Sequence, residues 1–282
     1  MPLSIRTNMA SLSAVSSLTK TQSSLSKSIG RISTGLKHAG FADGASEMAF
    51  GQKLESDKTS LKAAMSNTSQ GISLLSVGED ALNQVYSALT KMREIAVSSS
   101  NGAASSSDRA TYASEFNALR TEVSRILNTT TFNGISVLHA AASSSLVLQV
   151  GVDAANILTL TRSTFSTSLA AGGLSIAGSG AGHVSVNNAS AALAAITGLD
   201  TALGTVNNKR AGLGVAQTKL ENVLSYAQAQ HEAYSTAISS ILDVDYAEET
   251  ANMTRFQIMQ QAGVAALGQA RSIPQSILSL LG

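Results

Sequence analysis

His231-Glu232 opens as a zinc-binding His-Glu-x-x-His helix does, but the position that must present the second imidazole holds Ser235. The four histidines, His38, His139, His183 and His231, fall in different segments, so their spacing assembles no metal site. With no cysteine there is no thiolate ligand, no thiol nucleophile and no disulfide framework. Asp243, Asp245, Glu248 and Glu249 form a dense acidic run that in principle binds a cation or exchanges protons. No nucleophile, glycine loop or cofactor motif accompanies them, so the run reads as a solvated or intersubunit charge cluster. An enzyme would need a catalytic insert, which the Gly- and Ala-rich residues 163–188 do not resemble. No catalytic residue, metal or cofactor is expected.

The elements that carry these residues are set by composition. The chain has 282 residues, 44% hydrophobic but only 4% aromatic and 13% charged, where an average soluble domain has about 25% charged residues. Two prolines and no tryptophan leave few helix breakers, so long helices are permitted. No secretory signal pattern and no window with the ~18 apolar residues of a membrane span are read at this stage.

Charge divides the chain. Residues 1–42 carry Arg6, Lys20, Lys27, Arg31 and Lys37, and residues 250–282 carry Arg255 and Arg271, with no acid in either end. The middle therefore holds the other 12 cations and all 18 acids, a charge of about −6. Sparse cations without interleaved aromatics make a poor phosphate-tracking surface, which argues against nucleic acid. Disorder fits badly because both ends are strongly periodic.

In the first segment Leu18, Gln22, Leu25, Ile29, Ile32 and Leu36 alternate steps of four and three, the rhythm of a coiled-coil seam. Met253, Phe256, Gln260, Gly263, Leu267, Ala270, Ile277 and Leu281 repeat it at the other end, with Pro274 at the skipped position predicting a kink or break. The two seams predict that the ends pair with each other. Their outer faces hold Ser, Thr, Ala, Gln and Gly instead of Glu and Lys, which suits burial by further copies of the chain.

The middle predicts a helix over 45–98 of roughly 80 Å, longer than a compact domain is wide, and hence a rod. Ser107-Asp108 is expected to cap the next helix, whose seam is Tyr112, Phe116, Leu119, Val123 and Ile126. Thr129 to Thr131, Phe132 and Asn133-Gly134 predict a tight turn, followed by short strands at 135–138, 146–150 and 157–161. Weak strand signals lie at 174–176 and 183–186 in a Gly/Ala/Ser-rich excursion, and helix resumes near Ala189, its seam reaching Ile241 and Val244.

With these elements placed, the chain resembles the bacterial flagellins. The resemblance is carried by Arg6-Thr7-Asn8, by Ile29 through Leu36, by Thr129 through Gly134, by Asp243 through Glu249, by Gln257 through Gly263, and by Ile273 through Leu281. It covers about residues 1–140 and 190–282. Departures fall at Lys37 through Ser46 and at Ser239-Ser240, where an inner and an outer domain would join.

The resemblance implies a mainly α fold: an elongated antiparallel helical bundle or coiled coil with a small β-hairpin region and paired N- and C-terminal helices. Residues 1–42 with 243–282 would form an inner filament-core domain. Residues 43–242 would form an outer helical rod, with hairpin and excursion at 135–188. The implied function is a structural subunit exported through a type III channel and polymerised into the extracellular flagellar filament. Its partners would be itself, the export apparatus, an export chaperone, and filament cap and junction proteins.

By resemblance, Leu89, Lys91, Arg93, Glu94 and Glu115 match a patch that packs neighbouring subunits and that a host Toll-like receptor reads, the alternative being a purely structural helix face. Lys91 stands where receptor-active members have Arg, and lysine lacks the planar fork, which implies weakened recognition. Alternatives to the filament subunit are a hook-filament junction protein and a secreted helical adhesin.

Overall fold

The computed structural model describes residues 8–138, 145–161 and 185–281. The order of elements is α1 (Met9–Thr34), α2 (Ala45–Ser100), α3 (Ser106–Thr129), β1 (Thr131–Phe132), β2 (Ile135–Ser136), β3 (Ser145–Gln149), β4 (Ile157–Thr161), α4 (Ala189–Leu242) and α5 (Tyr246–Leu281). The fold is mainly α, as expected. The chain divides into two compact units, Met1–Lys58 with Glu232–Gly282, and Thr59–His231. The divisions fall inside α2 and α4, so each unit takes in part of both helices.

In the 59–231 unit, α2 buries positions 61, 64, 68, 71, 75, 78, 82, 85, 89, 92, 96 and 99, an unbroken alternation of three and four, with Leu74, Ala81 and Ile95 buried beside it. This stripe packs with Phe116, Val123, Ile126 and Leu127 of α3 and with Ala192, Ala195, Leu199, Ala202 and Val206 of α4. Close approach explains two glycines on it. A Cβ at Gly78 would lie 2.9 Å from Val137 Cγ1, and one at Gly71 would lie 2.5 Å from Leu148 Cδ1, so the segments after α3 reach the helix only because those positions are bare.

The first hairpin is the expected one. Asn133 and Gly134 take φ of 50° and 75°, the left-handed pair that lets Phe132 face Ile135. A second antiparallel pair, β3 with β4, runs in register from Ser145 opposite Thr161 to Gln149 opposite Ile157. The signals at 174–176 and at 183 and 184 lie outside the described residues, while Ser185 and Val186 belong to no strand.

Three expectations are corrected. The cap of α3 is Ser105, not Ser107: its Oγ accepts from the Asp108 N–H at 3.1 Å, and Asp108 Oδ2 accepts from the Ser105 N–H at 3.0 Å. Reciprocal capping needs a three-residue spacing, which Ser107 and Asp108 lack. Of the kink or break expected at Pro274, the break does not occur and α5 continues to Leu281, because proline removes a single donor and the carbonyl it vacates, that of Ala270, accepts from a side chain instead. An 18-residue stretch of α4 has mean hydropathy 1.3, enough by length and composition to cross a membrane. Much of α4 is alanine and glycine, and its face at 192, 195, 199, 202 and 206 is buried in the core.

In the other unit α1 lies against α5. Asn8 meets Ala270, Gln22 meets Gln260 and Ser28 meets Glu249, so the helices are antiparallel. The connections are sealed at the opposite end. Gly35, at φ 73°, caps α1 through its N–H to the Arg31 carbonyl. Lys37 N–H then donates to the Leu242 carbonyl at 2.7 Å and Val244 N–H to the Gly35 carbonyl at 2.9 Å. Within the departure at 37–46, the His38 ring lies over Gly44, where a Cβ would come within 2.5 Å of Nδ1.

Candidate functional site

The sequence's chemical candidates become structural devices. Among the described residues no group of three or more His, Asp or Glu is placed to hold a metal ion. Asp245 Oδ1 accepts from the N–H groups of Ala247 and Glu248 at 2.8 and 3.3 Å and so caps α5. Glu248 and Glu249 occupy the first turn, where the exposed N–H groups favour negative charge. Glu249 is buried against α1: its carbonyl accepts from Ser28 Oγ at 3.3 Å, and its carboxylate lies 3.8 Å from the Arg31 guanidinium.

Beside this pair, Lys27 Nζ meets Asp43 Oδ1 at 2.9 Å. The hydrogen bond and the positive charge of Lys27 hold the Asp43 carboxyl below the usual aspartate range. At the cap of α3, hydrogen bonds from Ser105 lower the Asp108 carboxyl in the same way.

The seam residues divide. On α5, Met253, Phe256, Gln260, Gly263, Leu267 and Ala270 are all half-buried and form the face turned to α1. Gly263 admits Leu18, whose Cδ1 would stand 3.3 Å from a Cβ there. Ile277 and Leu281 continue the helix, and their side chains lie outside the described residues.

On α1 the inward positions are 11, 14, 18, 21, 25, 28 and 32. Leu25 is buried, Leu18, Ile32 and Leu36 are half-buried, and Ile29 is 49% exposed. Thr21 and Ser28 thus take the inward places beside Gln22 and Ile29. Sequence reasoning missed Ser28, since a small polar residue in an apolar stripe leaves no hydropathy signal, and it read Glu249 as part of a solvated or intersubunit cluster, whereas Glu249 is buried against Arg31 and Ser28 of the same chain. For Ser28 the spacing alone carries a signal, since it stands three residues after Leu25 and four before Ile32.

The two units differ sharply in burial. The large apolar core, from Leu74 to Leu220, lies wholly in the 59–231 unit. Among the described residues of the other unit, Leu25 is the one large apolar side chain that is buried. Its helices instead expose Met9, Leu12, Val15, Ile29, Ile258, Met259 and Val264, with Leu12 at 64% and Ile258 at 60%. A groove of about 460 Å3 runs between them, lined by Leu18, Thr19, Gln22, Ser23, Ser26, Gln260 and Val264. This helix pair thus carries apolar side chains on its outer as well as its inner faces.

In the 59–231 unit Lys91, Glu94 and Glu115 are exposed. Arg93 Nε meets Asp200 Oδ1 at 2.6 Å, and that carboxylate raises the guanidinium above its ordinary value. Leu89 is corrected: it is fully buried in the stripe between Val85 and Met92, so it supports the patch from below and offers no contact surface.

The comparisons with known proteins agree with this architecture. Residues 5–143 match the bacterial flagellin N-terminal helical region, and residues 196–281 match the bacterial flagellin C-terminal helical region. The chain is 32% identical to the flagellin of Listeria innocua over 287 residues, covering 99% of both chains. Among solved structures, it is similar to the Bacillus cereus flagellin, with 27% identity, a TM-score of 0.50, and coverage of 57% of this chain and 88% of that one. A putative flagellar hook-associated protein from Vibrio parahaemolyticus shares the fold at 15% identity, with a TM-score of 0.59 over 71% of this chain and all of the other.

Proposed function

The chain belongs to the bacterial flagellin family, and on that premise we propose that its paired ends are the surface through which copies polymerise. The protein is a structural subunit of the extracellular flagellar filament. The observation that carries the assembly reading is the contrast in burial: one unit holds the apolar core, while the other exposes large apolar side chains on both helices. Enclosing that surface between copies gains about 25 cal/mol per Å2 of apolar area, which offsets the entropy of ordering the ends.

The roles of the seam residues follow from their placement. Leu18, Leu25, Ile32 and Leu36 with Met253, Phe256 and Leu267 hold α1 to α5. Ile29 faces outward toward neighbouring copies. Deleting residues 253–282 is expected to leave a soluble, folded 59–231 unit that cannot polymerise, and filaments of the truncated chain in electron micrographs would refute this.

The finer partners follow from the family: an export apparatus and chaperone before assembly, cap and junction proteins after it. A host Toll-like receptor would read Lys91, Glu94 and Glu115, with Arg93 partly withdrawn by Asp200. Weakened recognition through Lys91 predicts that Lys91→Arg raises the signal of purified monomer in receptor-reporter cells, whereas full-strength signalling from the unaltered chain rejects it. The hook-filament junction reading is not favoured, since the hook-associated likeness at 15% identity concerns the fold alone.

A further inference from the structure

In an α-helix the carbonyl of residue 270 accepts from the N–H of residue 274. Pro274 has no N–H, so Ala270 is the place along α5 where sequence vacates a main-chain acceptor. Asn8 Nδ2 donates to that carbonyl at 2.8 Å, across 262 positions of chain. The other end of the same amide is also used: Oδ1 accepts from the Ser11 N–H at 3.0 Å and caps α1. Both contacts demand one orientation of the amide, donor toward the carbonyl and acceptor toward the N–H.

We infer that Asn8 and Pro274 form a register lock, in which the proline frees one carbonyl and the asparagine that starts α1 seeks it, setting the stagger of α1 on α5 for assembly. The apolar seam alone specifies stagger weakly, because Ser, Ala, Gly and Thr recur at its positions and a slip of seven residues restores much of the pattern. Interior helix carbonyls away from Pro274 already accept an N–H within the helix, so a slipped Asn8 would share an occupied acceptor, as Ser28 does at Glu249, in place of a vacated one. Asn8 is thus a positioning residue, acting through the helix pair. The inference deepens the filament reading and rests on it.

The test compares the full-length chain with Asn8→Asp, Pro274→Ala and the double variant. Aspartate keeps the helix-capping oxygen but replaces the donor by an acceptor; alanine restores the N–H that satisfies Ala270 from within the helix. In seeded elongation, Asn8→Asp is expected to raise the critical concentration about tenfold with Pro274 present and less than about twofold with Pro274→Ala. An equal effect in both backgrounds overturns the lock.

Stagger is read independently by introducing the Gln22→Cys and Gln260→Cys pair into this cysteine-free chain. The pair should form a disulfide readily with Asn8 and Pro274 intact and lose yield to pairs displaced by seven residues in Asn8→Asp; an unchanged pairing pattern also overturns the lock. Failure of the unaltered chain to elongate seeds would count against the filament reading instead.

Discussion

At the residue scale, Lys27, Arg31, Asp43, Asp245, Glu248 and Glu249 stabilise elements of the unit formed by the chain ends. Asp43 is the case with a measurable signature. Lys27 lowers its folded-state pKa, so the contact adds stability above the unfolded aspartate value of about 3.9 and loses it as pH falls through the lower folded value. Both side chains retain solvent, which keeps the contribution small. In Lys27→Met the Asp43 carboxyl, followed by NMR titration, is expected to rise into the ordinary aspartate range; an unmoved titration would remove the ion pair from the account.

At the element scale, α1 shows how one helix serves two interfaces. Its inner face, with Leu25 and Ser28, is closed by α5, while Ile29, one position away, is turned outward. Ile29→Lys should therefore leave the thermal unfolding of the unassembled chain within about 0.5 kcal/mol of the original. The same change should raise the critical concentration for polymerisation more than about tenfold, because burying an isoleucine contributes about 1.5–3 kcal/mol. A large loss of monomer stability would place Ile29 inside the pair instead. The periodic stripe of α2, the Asn133-Gly134 turn and the α5 seam were legible in the sequence, since each is local: a three-four rhythm or a required φ depends on near neighbours. The α3 cap was misplaced by two residues because several serines in a row qualify by type, and geometry selects the one three positions before Asp108.

At the scale of the whole chain, the two units predict unequal resistance to local opening. The 59–231 unit has a continuous core, whereas the 1–58 and 232–282 segments bury little apolar surface of their own. Limited proteolysis of unassembled protein is expected to trim both ends and halt near residues 59 and 231, and assembly should protect the ends by an order of magnitude or more in rate. Cleavage that began within α3 or the hairpins would contradict the assignment of the core.

Composition and periodicity were sufficient for the mainly helical fold, the acid-free extremities and their pairing, because a low charge fraction and a three-four repeat act through hydrophobic burial, which needs no exact geometry. Folding in three dimensions was needed to choose Thr21 and Ser28 over Gln22 and Ile29, to turn Glu249 inward toward Arg31, to bury Leu89, and to bring Asn8 to the carbonyl left open by Pro274. A stripe covers a broad arc of a helix, and only the partner's rotation and stagger settle which edge of that arc is closed. Hydrogen bonds between residues hundreds of positions apart depend on that same stagger, so no local pattern announces them.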